Sequence, residues 1–219
     1  MARYESEARN RVRQLAEKAR YDHESVHGVL DAGLVSQVAF SQGDQPFIVP
    51  MIYGRQGQTL YLHGARKARL VRLLAANPKV CVHVTLLDGI VLARSTFSSS
   101  MNYRSVSVFG SAELVDDPAE KEAALRVISE QVMPGRWAEV RPSTDREIAM
   151  TGVLRLPIES ASAKISSGPP DDEEEDYAAS VWAGVLPLVL QAGALQPDPV
   201  LDPNQLPSDI MLALEAKIY

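Results

Sequence analysis

With 219 residues, 46% of them hydrophobic and 23% charged, the chain is long enough for one sizeable core and lacks the apolar poverty of disordered sequences. A formal charge of -6 at pH 7 argues against non-specific nucleic-acid binding, which draws its affinity from phosphate neutralisation by Lys and Arg. One cysteine, Cys81, excludes an internal disulfide framework and any Cys-x-x-Cys redox or zinc pattern. No stretch approaches the roughly 20 apolar residues of a membrane span, and no apolar run follows the basic start, so a soluble, cytoplasmic protein is expected, with neither nucleic acid nor membrane as partner.

In chain order, residues 1–20 are polar and rich in Arg and read as a partly ordered lead-in. Asp22 is placed to cap a helix over 23–32 with Val26, Val29 and Leu30 on one face, stopped by Gly33. Leu34 to Phe40 and Pro46 to Tyr53 read as a hairpin around Ser41-Gln42-Gly43-Asp44-Gln45. A strand from Thr59 to His63 leads into a helix over 66–76, with Leu70, Leu73 and Leu74 at helical spacing and Asn77-Pro78 as its stop. Asp88-Gly89 predicts a second hairpin between 79–87 and 90–96. A long strand over 104–115, a helix over 118–132 with Pro118 in its first turn, and a final strand near 152–165 complete the pattern. Sequential antiparallel strands with accessory helices define a mainly β, α+β chain and favour a barrel over a doubly wound sheet. One domain over 21–190 is expected, including an acidic loop over 166–180. A Pro-rich tail over 191–219 follows, with a short amphipathic stretch from Ser208 to Ile218 that would fray or dock on a partner subunit.

The chemistry begins with a pattern that misleads easily. His23-Glu24-Ser25-Val26-His27 matches His-Glu-x-x-His, the zinc-hydrolase arrangement of two imidazoles and a general base on one helix face. Only a short polar leader precedes it and a strand follows, so zinc hydrolysis is a remote reading and a solvated helix face the expected one. There is no Gly-x-Ser-x-Gly elbow, no Gly-x-Gly-x-x-Gly and no phosphate-binding Gly-rich loop ending in Gly-Lys-Ser/Thr. Two stretches remain. In the first, Ala65, Arg66, Lys67 and Arg69 open a helix, where free N–H groups and the dipole favour an anion. Cations there oppose the dipole by about 0.3–1 kcal/mol each unless an anion sits beside them. A bound phosphate answers that misfit; a solvated basic face is the alternative. In the second, Met101 to Gly110 sets polar, aromatic and cationic side chains directly on a strand.

The chain resembles the pyridoxamine 5'-phosphate oxidase-like FMN-binding split barrels, in the branch of nitroimidazole-resistance-type proteins. The resemblance runs from about residue 21 to 188. It is carried by Val49-Pro50-Met51-Ile52-Tyr53, Leu60-Tyr61-Leu62-His63-Gly64-Ala65, Leu86 to Ser95 and Asn102-Tyr103-Arg104-Ser105-Val106 with Gly110, and extended by Ala163-Lys164, Gly168-Pro169-Pro170 and Trp182-Ala183-Gly184. It implies an antiparallel six-stranded split β-barrel in a homodimer, with FMN bound at the subunit interface. Arg66, Lys67 or Arg69 would hold the phosphate. Pro50, Met51, Ile52 and Tyr53 would run beside the isoalloxazine. Asn102, Tyr103, Arg104 and Ser105 would approach the flavin or ribityl chain, and Lys164 and Trp182 would close the site. His63, at a strand end beside the expected pocket, is the candidate catalytic imidazole, or else a structural hydrogen-bonding group. The chain departs from its relatives at Ala68, where a small hydroxyl residue often precedes the phosphate-contacting Arg, and at Ser98 and Ser99, where some carry His. The function so implied is an FMN-dependent oxidoreductase acting on a small, aromatic molecule, with NAD(P)H as a candidate donor; a flavin- or haem-binding module without turnover is the alternative. Pyridoxamine-phosphate oxidation itself would call for a second basic cluster, which the sequence does not supply.

Overall fold

The computed structural model describes residues 2–76 and 78–219; Asn77 of the expected helix stop lies outside them. Helix α1 (His23–Ala32) starts where Asp22 accepts a hydrogen bond from the Ser25 N–H at 2.7 Å, and it buries Val26, Val29 and Leu30 as its spacing requires. Strands β2 (Val35–Gln42) and β3 (Gln45–Gln56) form the expected hairpin, turning through Gly43 at a φ of 58°. β4 (Thr59–Ala65) runs into α2 (Arg69–Ala76). Strand β5 (Lys79–Leu92) pairs along its length with β6 (Ser100–Ser111). Short β7 (Glu113–Val115), α3 (Pro118–Val132) and α4 (Asp145–Met150) precede β8 (Thr151–Pro157) and β9 (Ser160–Ser166). Three small elements decorate the ends: β1 (Ala19–Arg20), β10 (Gly184–Pro187) and α5 (Asp209–Leu212).

Among the described residues the ten strands form one antiparallel path, β1-β9-β6-β5-β2-β3-β4-β8-β7, with β10 added on β5. Alternation sorts the side chains: Val38, Val82, Val84, Val106, Val108, Leu60, Leu62, Leu154 and Leu156 point inward and are fully or nearly fully buried. Helix α1 fills the same core, and the Tyr53 hydroxyl donates to the Leu30 carbonyl across it. The two halves of the barrel meet where β6 passes β8. A Cβ at Gly110 would lie well inside van der Waals contact with the Pro157 carbonyl oxygen and 2.9 Å from Leu156 Cδ1. Gly110→Ala should therefore force the halves apart and cost about 1–3 kcal/mol, read as a lower Tm than that of the parent chain.

Three expectations change. Asp88-Gly89 does not turn the chain: β5 continues through it as one strand with a bulge between Leu87 and Gly89. Tertiary pairing overrides the local turn signal, since β6 lies on one side and β10 on the other, and Gly89 leaves room for Val185, 2.8 Å from where its Cβ would stand. The reversal instead falls over 93–99, held by Ser95 and Ser99. The expected final strand is two strands, β8 in one half of the barrel and β9 in the other. The lead-in is part of the fold: Tyr4 is buried, Asn10 donates to the carbonyls of Glu5 and Ala161, and β1 extends the sheet beside β9.

The segment beyond β9 is tied at two places. Asp172, one of six acids in the run 171–176, has no exposed side-chain surface and accepts from the Arg94 N–H at 2.7 Å and its guanidinium at 2.9 Å. The tail closes on itself where Gln191 bridges Ile218 and the Ala192 N–H donates to the Lys217 carbonyl. The expected amphipathic stretch holds only the single turn of α5, capped by Ser208. No helix of the described residues is long and apolar enough to cross a membrane.

Candidate functional site

Because β2, β3, β5 and β6 bury one face in the core, their alternate residues line an outer face. Cross-strand register sets these residues in rows. Val35 stands opposite Ile52, and Thr85 opposite Ser105; Gln37 lies between Pro50 and His83, which faces Ser107; Ala39 lies between Ile48 and Cys81, which faces Phe109. Ile48 is 67% exposed, Leu87 52% and Val35 47%. Large apolar side chains left open to water among the polar residues of this face mark a surface that something else can cover.

The basic start of α2 reaches β3 at Phe47, whose ring packs toward the core and not on this face. Arg69 stacks its guanidinium 4.3 Å from the ring centroid of Phe47 on β3. The Arg66 N–H donates to the Met150 carbonyl, and its guanidinium meets Asp116 at 3.2 Å on the surface. Lys67 makes no ion pair among the described residues. Ala68, next to the first helical residue, has no side-chain acceptor to offer the free N–H groups. Three exposed cations at an uncapped helix start, with one carboxylate nearby, fit a phosphate. Ala65 ends β4 directly before them and pairs with Thr151.

The remaining expected residues divide. Pro50 and Ile52 reach the outer face, whereas Met51 packs on the core and Tyr53 is fully buried; the pleat sends neighbours to opposite sides, so only half of 50–53 can present side chains to a ligand. Tyr103 lies on the outer side opposite Leu87. Arg104 is occupied by Asp88, with its Nε donating at 2.9 Å and its Nη2 at 2.7 Å, a two-toothed pair that holds the guanidinium charge firmly. Asn102 donates to the Gly168 carbonyl and pins the loop after β9. Ser105 and Lys164 are opposite each other on β6 and β9, and the Lys164 ammonium donates to the Gln14 carbonyl. Lys164 is thus turned to the N-terminal segment and lies several strands from α2. Trp182 is 72% exposed, just before β10. His63 shares the side of β4 that carries Tyr61, which packs with Val153 and the α3 residue Ala124. Its Nδ1 is buried without a hydrogen-bond partner, and burial holds the imidazole below its ordinary pKa.

The sequence reading weighed His83 only as a further zinc ligand and gave it no place in the flavin site. It sits between inward Val82 and Val84, so alternation alone sends it to the outer face. Its Nδ1 is 3.0 Å from the Ser107 hydroxyl and its Nε2 2.8 Å from that of Thr85, and burial lowers its pKa. Farther along β5, and not lined by His83, opens a cavity of about 580 Å³ whose lining includes Ala39, Phe47, Ile48, Cys81 and Phe109 with Arg9, Lys79 and Glu159. Burial raises the Cys81 thiol above its ordinary pKa, so it stays a neutral wall residue.

The His-Glu-x-x-His residues serve the N-terminal clasp. The rings of His23 and His27 lie 5.2 Å apart, yet His27 Nε2 is 3.0 Å from the Tyr4 hydroxyl, and His23 Nδ1 is 2.9 Å from the amide of Gln58, which also bonds Tyr4. Among the described residues no group of three or more His, Cys, Asp or Glu side chains is arranged to hold a metal ion. Burial pushes Tyr4 up to about 12, and burial, then Arg55 and His23, hold His27 below its ordinary value, with only Asp31 opposing among the charges. Its folded pKa being depressed, His27 contributes stability that is present above the unfolded pKa of about 6.5 and is lost as pH falls through the folded pKa. His63 and His83 act in the same direction. Thermal melts from pH 7.5 down to 5.5 should show a falling Tm, with His27→Gln flattening part of that slope.

An antiparallel barrel with accessory helices and a basic helix start sets the class of fold, and comparison with known proteins names the family. Residues 22–165 match the family model described as pyridoxamine 5'-phosphate oxidase. The chain belongs to this pyridoxamine 5'-phosphate oxidase-like family. It is similar to the flavocytochrome Anf3 from Azotobacter vinelandii, at 38% identity over 96% of this chain and 98% of that one, with a TM-score of 0.90. It is similar also to the FAD and heme binding protein from Mycobacterium smegmatis, at 36% identity over 91% and 98%, with a TM-score of 0.87. An uncharacterized protein of Rhizobium meliloti (strain 1021) is 30% identical over 87 residues, 40% of this chain, so the chain spans about half the length of the curated relative it matches.

Proposed function

We propose that this chain is a flavin-dependent oxidoreductase working as a homodimer, its flavin held by the start of α2 and the neighbouring part of β3. The observation that carries the reading is the cluster of Arg66, Lys67 and Arg69 at the start of α2, with Arg69 stacked on Phe47 of β3, a strand whose other face exposes Ile48, Pro50 and Ile52. Cations and free N–H groups suit a phosphate, and an apolar strand suits a flat ring. A bound flavin supplies hydride or electron transfer; the chain's own residues bind, orient and exclude water. The M. smegmatis relative is an FAD and heme binding protein and the A. vinelandii relative a flavocytochrome, which supports FAD beside FMN as the flavin and haem as a second group. A second copy covers the outer face in this reading, since that face exposes the large apolar side chains of Val35, Ile48, Ile52 and Leu87. A small aromatic acceptor with a nicotinamide donor remains the favoured chemistry. Titration of flavin-free protein with FMN and FAD, followed by flavin fluorescence, should show saturable binding of one of them at one per protomer. Binding of neither would refute the reading.

A further inference from the structure

We propose that two copies of this chain lock together by an aromatic knob, with Phe97 of each copy seated in the cavity at Cys81 and Phe109 of the other. The inference rests on the homodimer of the reading above and adds which surfaces meet and how the two-fold axis runs. Phe97 is 88% exposed, yet the turn over 93–99 that carries it is tied. The Ser99 N–H and hydroxyl both donate to the Ser95 carbonyl, and the Ser98 N–H donates to the Ser95 hydroxyl. An ordered turn that holds a large aromatic side chain out in water offers an anchor for a partner's pocket.

The same chain carries a pocket of the matching kind. Ile48, Ala39, Cys81 and Phe109 form one cross-strand row on the outer face, and this row lines the cavity of about 580 Å³, which has room for a phenyl ring. Phe97 does not reach it within its own chain: β5 runs from Lys79 to Leu92, so Cys81 lies about 35 Å of extended strand from the turn. A knob at one end of a strand pair and a hole at the other meet when two outer faces stack with the two-fold axis running across the strands. One rotation then seats both knobs in both holes, the closed arrangement of an isologous dimer. An axis along the strands would set knob against knob.

Charge favours the same pairing. Arg94, just before the turn's Phe97, holds the buried carboxylate of Asp172 and so fixes the acidic run beside the turn, with Asp171, Glu173, Glu174 and Glu175 exposed. Of the two cations lining the cavity, Arg9 is paired with Glu7 and Glu159, while Lys79 makes no ion pair among the described residues. Acids around the knob and a spare cation at the hole attract across the two copies; knob against knob would bring acids to acids.

The full chain with p-benzoylphenylalanine in place of Phe97 keeps an aromatic knob and reports what it touches. Irradiation should give a covalent dimer on denaturing electrophoresis, and mass spectrometry should place the link in the segments 39–48, 79–81 or 109–111. In sedimentation equilibrium, Phe97→Ser should weaken the dimer roughly a hundredfold or more, since one substitution removes two anchors. Lys79→Glu should weaken it most at low salt. Both side chains are exposed, so the circular dichroism of each variant should match that of the parent. A dimeric parent whose links fall elsewhere, or a Phe97→Ser dimer as tight as the parent's, would overturn the docking and leave the homodimer standing. A parent that stays monomeric at every concentration would overturn both.

Discussion

Replacing Arg66 and Lys67 together by Ala should cut flavin affinity by roughly a hundredfold or more, since a charge-assisted hydrogen bond to a phosphate is worth about 1.5–3 kcal/mol and two are removed. The fold should tolerate the change. Both side chains are exposed, and the partner that Arg66 leaves behind, Asp116, is 71% exposed and stays solvated. Surface pairs of this kind contribute about 0–1 kcal/mol, so the Tm of the flavin-free variant should stay within a few degrees of the parent. Dialysis equilibrium and melting, run on the same preparations, separate the two effects. A double variant that purifies folded and fully flavin-loaded would remove the α2 start from the site.

Asp172→Ala should be the most disruptive change outside the barrel core. Its carboxylate is sealed from water and satisfied by both the N–H and the guanidinium of Arg94, which also stacks 4.9 Å from the Tyr177 ring. Removing one partner of a buried pair commonly costs about 3–5 kcal/mol; with Arg94 still 26% exposed, about 2–3 kcal/mol is expected here. The loss should be local first: the loop over 166–180 and the β10 strap should become sensitive to protease while the barrel core stays folded. The same substitution at Asp171, whose surface is exposed, should do little. Equal protease resistance of the Asp172 variant and the parent would show that the loop is held by other contacts.

Much of the fold was legible because its signals are local. Asp22 and Asp117 cap helices whose apolar spacing is plain, and the valines of β5 and β6 alternate as a half-buried sheet demands. Asp88-Gly89 failed for the opposite reason: a two-residue turn preference is outweighed by a strand paired on both sides. The cationic start of α2 was readable from composition at one place in the chain. The company of His83 was not, because the row from Pro50 through Gln37 to Ser107 is set by cross-strand register between distant segments. Nor does a run of six acids disclose that Asp172 is the buried one. His63 illustrates a third limit. A strand pattern assigns it a side, but only the packing of α3 decides that this side is covered.

The central claim is that this barrel holds a flavin at the start of α2, and the visible absorption spectrum of the protein as purified, with mass spectrometry of whatever mild denaturation releases, tests it most directly. A yellow protein releasing one FMN or FAD per protomer is the predicted result. A colourless protein that takes up neither flavin when it is added would contradict the account.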